Sequence, residues 1–323
     1  MSEPGVDQAV AVSRLHRAVL GVVFLLVLAF SYSSDLVSWL LDITGGGRSA
    51  RVIGLVGVDA AILFAVGLCK RIIGRAEDGG SRLWRPWWTS FGVVAALNAT
   101  IGTLPQHHPL WVDLVAAVAF AVTMGVLTAV SLNADPRTLF SGPLRTALPA
   151  DWVRVRAVVP LIVGTFTCYL AGAVFNDFFD ADTVRVLDPQ TAAEVAAMPL
   201  ADRLSTLGSL CENAVSPAFY DQAALVMPLL LLTLGVEFNY FRRTLLDPVQ
   251  RAVTAATVTV LSAGLAFALS ILPFDGVGCG DVPSYWHEYL TFVVAVQAIT
   301  IGLATLIWLL VTGTSDSGAE SDG

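Results

Sequence analysis

Eight stretches of this chain stay predominantly apolar for close to the length an α-helix needs to cross a hydrocarbon layer, about 20 residues for roughly 30 Å. They cover residues 18–41, 52–69, 87–104, 112–132, 157–175, 219–241, 252–272 and 289–312. With 55% hydrophobic and 14% charged residues, the chain falls well below the roughly 25% charge of ordinary globular domains. The expected fold is therefore all-α: a polytopic transmembrane helical bundle of about eight spans, whose first partner is the lipid bilayer. The first run is long, with no small-residue cleavage site after it, and reads as a signal anchor.

Charge sidedness orients such a bundle, because arginine and lysine accumulate on the cytoplasmic side. Taking alternate segments as inner, one side collects Arg14, Arg17, Lys70, Arg71, Arg75, Arg82, Arg85, Arg137, Arg145, Arg154, Arg156, Arg242, Arg243 and Arg251, and the other only Arg48, Arg51, Arg185 and Arg203. Both termini are thus expected in the cytoplasm. All eight tryptophans fall near span ends, where aromatic belts form. Lys70 is the sole lysine beside seventeen arginines, a bias that suggests a GC-rich bacterial genome and so a bacterial inner membrane. The net charge of −8 disfavours nucleic acid as a partner.

The expected organisation is a cytoplasmic tail (1–15), a first four-helix half (16–135), a cytoplasmic linker (136–156), a second half (157–313) and a polar tail (314–323). Landmarks suggest a four-plus-four parallel repeat. Asp59 and Asp221 occupy spans two and six, Leu104-Pro105 and Leu272-Pro273 close spans three and seven, and Trp111-Val112-Asp113 matches Trp286-His287-Glu288. The insertion 176–217 is acidic and extracytoplasmic in this topology. Leucines at helical spacing after Pro199, and the Asp188-Pro189 helix start, predict one or two short amphipathic helices there, able to act as a lid, a structural cap or a docking site for an envelope protein. Cys211 and Cys279 share that compartment and are expected to form a disulfide. Cys69 and Cys168 read as small buried hydrophobes.

Ionisable groups at membrane depth are costly and mark functional candidates. Asp59 lies eight residues from Arg51 and eleven from Lys70, about 12 and 16 Å along a helix; Asn98 or Thr100 of span three could pin it. Asp221 and Glu237 enclose fifteen residues, about 22 Å of helix where about 30 Å is needed, with Pro228 between them. Asp35, Asp113, Asp177 and Glu288 form an acidic outer rim, near His107, His108 and His287, which are weak metal candidates without a compact ligand motif. No cofactor is expected. Catalytic signatures are absent: residues 45–47 are a glycine run without the lysine of a phosphate-binding loop, and no zinc-protease or nucleophile-elbow motif occurs.

Three readings follow. The intramembrane acids favour a channel or carrier for a cation, proton or small solute. A non-catalytic scaffold or partner subunit of an envelope complex would use the same acids for packing. An enzyme acting on lipid or envelope precursors would need Asp59 to converge with His107, His108 or His287.

Overall fold

The computed structural model describes residues 4–44, 48–76, 83–103, 109–175, 189–210, 215–241, 248–273 and 282–317. Twelve α-helices occur among them: α1 (Pro4–Val27), α2 (Ser33–Thr44), α3 (Arg48–Ala76), α4 (Trp84–Thr103), α5 (Leu110–Ser131), α6 (Gly142–Ala147), α7 (Pro149–Val174), α8 (Pro189–Ala197), α9 (Leu200–Leu210), α10 (Pro217–Phe241), α11 (Pro248–Ile271) and α12 (Val282–Ser317). A π-helical turn, Leu28–Tyr32, joins α1 to α2 in one continuous rod. Several helices start on proline, whose missing N–H falls where a helix has no acceptor for it.

Seven helices are long and apolar enough to cross a membrane: Arg14–Leu41, Ser49–Arg75, Leu110–Ser131, Pro149–Val174, Ala218–Val236, Val249–Ile271 and Tyr285–Val311. The remaining predicted span coincides with α4, which does not qualify by composition because it opens on Trp84, Arg85, Pro86, Trp87, Trp88, Thr89 and Ser90. Its contacts nevertheless set α4 antiparallel to both of its neighbours, α3 and α5. Lys70 Nζ near the end of α3 donates to Val130 O near the end of α5 at 2.6 Å, so these two helices run the same way. The chain between them must return through the bundle, and α4 is that return. Trp87 bonds Ser131 at its start, at 3.1 Å, and Asn98 meets Asp59 farther along. The polar side chains that lower its hydropathy are partly covered by protein: Trp87, Ser90 and Asn98 are all buried.

The same logic orders the other helices. A Cβ on Gly21 would lie 3.2 Å from Cys69 Sγ and one on Gly54 3.2 Å from Val37, so α1 and α3 are antiparallel. Asp151, at the start of α7, accepts from the Asp135 N–H at 3.1 Å, and Gln250, at the start of α11, donates to Val153 O at 3.5 Å. One end of the bundle therefore gathers Lys70, Arg71, Arg75, Arg85, Arg137, Arg145, Arg154, Arg156 and Arg251. Arg137 forks onto Asp135 there, with NH2 at 2.7 Å, and that carboxylate raises the guanidinium above its usual value. The opposite end carries Asp35, Asp113, Asp221 and Glu288. The insertion contributes α8 and α9, the two short expected helices, with Arg203 reaching back to Ala196 O at 2.6 Å.

The densest packing is among α5, α7, α11 and α12. Small residues let helices approach where no hydrophobic driving force separates protein from lipid. A Cβ on Gly264 of α11 would sit 2.5 Å from Ala298 Cβ of α12, and one on Gly302 would sit 2.9 Å from Leu261. Ile53, Phe64 and Leu68 of α3, and Leu225, Leu229 and Leu232 of α10, turn outward. Such a surface would drive aggregation in water and is stable in contact with acyl chains. The pairing of Asp59 with Asp221 across a repeat finds them in unlike surroundings, one buried and one exposed.

Candidate functional site in the bundle interior

The polar side chains of the interior converge on the π-helical turn. A π-turn accommodates one residue more than regular α-helix and recurs at functional sites. The extra residue here lets consecutive side chains, Ser31 and Tyr32, meet the same partner. Gln297 of α12 donates from Nε2 to Ser31 Oγ at 2.7 Å, and Tyr32 OH donates to Gln297 Oε1. Gln297 is fully buried and stands twelve residues from Tyr285 and fourteen from Val311, midway along its span. Cys168 of α7 approaches Ser31 O at 3.9 Å. Beside it, Tyr169 stacks on Phe120 with centroids 4.6 Å apart, and Phe120 meets Phe30 of the π-turn at 6.2 Å.

Toward the acidic end, Tyr289 OH donates to Asp35 Oδ1 at 3.3 Å, with Arg51 within electrostatic reach of the same carboxylate. Gly172 gives the Tyr289 hydroxyl its room, since a Cβ there would lie 3.1 Å from the oxygen. Toward the basic end, Thr257 of α11 shares a 3.1 Å hydrogen bond with Thr305 of α12, and Thr254 and Gln250 continue the buried polar line. The threonines at 254 and 257 also donate to carbonyls one turn back, at 3.0 and 3.4 Å, which keeps them satisfied within the packed helix.

Asp59 occupies a second polar centre. It is 4% exposed, Asn98 Nδ2 donates to its Oδ2, and the Ser33 hydroxyl lies beside it. Oδ1 has no hydrogen-bond partner among the described residues. Asp221 is exposed on α10, so it does not share this interior. The backbone of Glu237 lies in α10, but its side chain is outside the described part.

The rim residues separate by role. Glu288 is buried and accepts from the Val215 N–H at 2.7 Å, while Tyr220 OH donates to its carbonyl at 3.3 Å; both bonds hold the start of α10 against α12. Asp113 lies half-buried in the first turn of α5. His287 Nε2 pairs with Ser270 Oγ at 2.8 Å. Asp177, His107, His108, Cys211 and Cys279 lie outside the described residues. Among the described residues no group of three or more His, Cys, Asp or Glu could hold a metal ion.

Sequence reasoning missed Ser31, Tyr32, Cys168, Tyr289 and Gln297. Gln297 was the available signal: it stands alone between Val293, Val294, Ala295, Val296 and Ala298, where an amide must find partners inside the protein. Fold and interior together define a polytopic integral membrane protein. In comparisons with known proteins, the chain matches no family model, no curated protein and no solved structure.

Proposed function

We propose that the protein is a carrier of the bacterial inner membrane that moves a proton, a monovalent cation or a small solute coupled to one. The observation that supports this most directly is the hydrogen-bonded set Ser31–Gln297–Tyr32 at mid-span, with Asp35–Tyr289 on one side and the Thr257–Thr305 line on the other. Ionisable and amide groups lining a bundle interior are the material of proton and ion paths. A π-turn is a natural point for a helix to change register as a path opens. The start of α1 and the end of α12 lie on the side of the basic cluster, and the positive-inside rule supports reading that side as cytoplasmic. The acidic end then faces outward and concentrates cations at the mouth.

Flux in proteoliposomes tests this reading. Wild type should dissipate an imposed proton or sodium gradient. Gln297→Leu and Asp35→Asn should reduce that flux to the liposome background while the proteins remain monodisperse. Wild-type vesicles that leave both gradients and common solutes untouched would overturn the carrier reading.

A scaffold role has its own support. Only 17% of the apolar window of α3 is buried, leaving most of that helix facing outward. Asp59 and Asp221, exposed on α10, do not face a common centre. For the enzyme reading, His287 is paired with Ser270 on α11, whereas the partners of Asp59 are on α2 and α4.

A further inference from the structure

A carboxylate held inside a bundle is normally neutralised or fully hydrogen-bonded, since an uncompensated charge in a low-dielectric interior is strongly unfavourable. Asp59 meets only part of that requirement. Oδ2 is fixed by Asn98, while Oδ1 is buried and has no partner among the described residues. The groups around it are hard oxygen donors. Ser33, buried at 3% exposure, stands at the start of α2 just past the π-turn; its hydroxyl donates to Ala29 O at 2.8 Å and so keeps its lone pairs free to accept or to ligate. Asn98 presents a carbonyl oxygen if its amide turns, because the two ends of a carboxamide exchange donor for acceptor at the same place. No basic side chain is hydrogen-bonded or ion-paired to this carboxylate among the described residues. Lys70 on the same helix is engaged elsewhere, at Val130 O and Asn133 Oδ1.

We propose that Asp59, Ser33 and Asn98 form a sodium site between α2, α3 and α4, with Asp59 Oδ1 as the charged ligand. The donor set suits a small hard monovalent cation: one carboxylate, one hydroxyl and one carboxamide, with no sulfur or imidazole. Broken or irregular helix segments commonly border such sites in membrane carriers, and the π-turn beside Ser33 supplies one here. This inference rests on the carrier reading and gives it a cargo or coupling ion.

Ion binding is measurable without transport. The purified full-length protein in detergent would be melted across a titration of sodium chloride at constant ionic strength, with potassium and choline chloride as controls. An ion that binds only the folded state raises Tm in proportion to the logarithm of its concentration above Kd. Sodium should raise Tm, potassium less and choline not at all, and the midpoint should move to higher sodium as pH falls because a proton competes for Oδ1. Asp59→Asn should abolish the sodium effect. Removing a neutral ligand by Ser33→Ala or Asn98→Ala should weaken apparent affinity by about tenfold or less while preserving the sodium response, since the charge of the shell remains. Those two variants carry the test if Asp59→Asn does not accumulate.

A wild-type Tm indifferent to sodium at every pH would overturn the site and leave Asp59 as a protonated pin between helices. So would a sodium response unchanged in Asp59→Asn, or unchanged in both neutral-ligand variants. Failure of the two ideas is separable: a sodium-dependent Tm without flux sinks the carrier reading alone, and flux without a sodium-dependent Tm sinks the site alone.

Discussion

Replacing Gly264 with leucine is expected to leave no monodisperse folded protein in detergent. The reason lies in the neighbour that a side chain would meet. A Cβ at 264 falls 2.5 Å from Ala298 Cβ, which is fixed to the α12 backbone, and 3.2 Å from Met227 Sδ. The methionine can move aside; the alanine cannot without separating α11 from α12. A single methyl, in Gly264→Ala, should therefore cost about 1–3 kcal/mol through overpacking, and leucine substantially more. The contact also predicts a rescue. Ala298→Gly removes the obstructing methyl, so the double variant Gly264→Ala/Ala298→Gly should recover most of the melting temperature lost in Gly264→Ala. A Gly264→Leu protein that elutes and melts like wild type, or a double variant no better than the single, would show that the two helices are not held at this distance.

The second large effect is expected at Lys70. The only lysine of the chain is 1% exposed, and its ammonium donates to Val130 O and Asn133 Oδ1, at 2.6 and 2.8 Å, with the Trp84 ring 5.4 Å away. Val130 is in the last turn of α5, where the backbone offers its carbonyl only the 3₁₀-type turn that closes the helix, with the Asn133 N–H at 3.2 Å, and the helix dipole favours a cation. Asn133 adopts φ 57°, the left-handed conformation in which asparagine is tolerated, and this turns the chain so that its side chain faces Lys70. Lys70→Met keeps the length of the side chain but removes two charge-assisted hydrogen bonds from a buried site, at a cost of roughly 2–4 kcal/mol. Lys70→Arg should fare little better, because a planar guanidinium does not fit a site shaped for a compact ammonium. Thermal unfolding followed by thiol labelling at the buried Cys168 would read the loss. A Lys70→Met melting temperature equal to that of wild type would show that the α5 end is satisfied without this cation.

The spans were legible because the requirement that produces them is local. Roughly 20 apolar residues must occur in succession, and proline, tryptophan and arginine mark the ends, so the predicted runs coincide with α1–α2, α3, α4, α5, α7, α10, α11 and α12 to within a few residues at most ends. The third was the least regular. Its run 87–104 looked like its neighbours, yet the helix begins at Trp84 with polar and aromatic residues sheltered partly by α3 and α5. The short helices after Pro189 and Pro199 were equally readable from a proline start and leucine spacing.

The interior was much less so. The sequence ranked candidates by charge and depth, and thereby selected Asp59, Asp221 and Glu237. Depth along one helix says how far a residue lies from a span end, not which way it faces. Asp221 turned out to be exposed and Asp59 buried, a distinction made by the rotation of α10 and α3 about their own axes. Gln297, Tyr32 and Ser31 carry no charge and drew no notice.

What the sequence determined by itself is therefore the class of molecule and the end of each rod: helices, because lipid leaves backbone groups no partner but their own chain, and basic against acidic ends, because charge is counted segment by segment. What only the tertiary structure decided is which side chains meet. The bond from Gln297 to Ser31 joins residues 266 positions apart, and that from Lys70 to Val130 joins residues 60 apart. Such meetings depend on helix rotation, on an extra residue in the π-turn, and on glycines that set how closely two helices approach. Each is a property of the packed bundle, and no single span contains it.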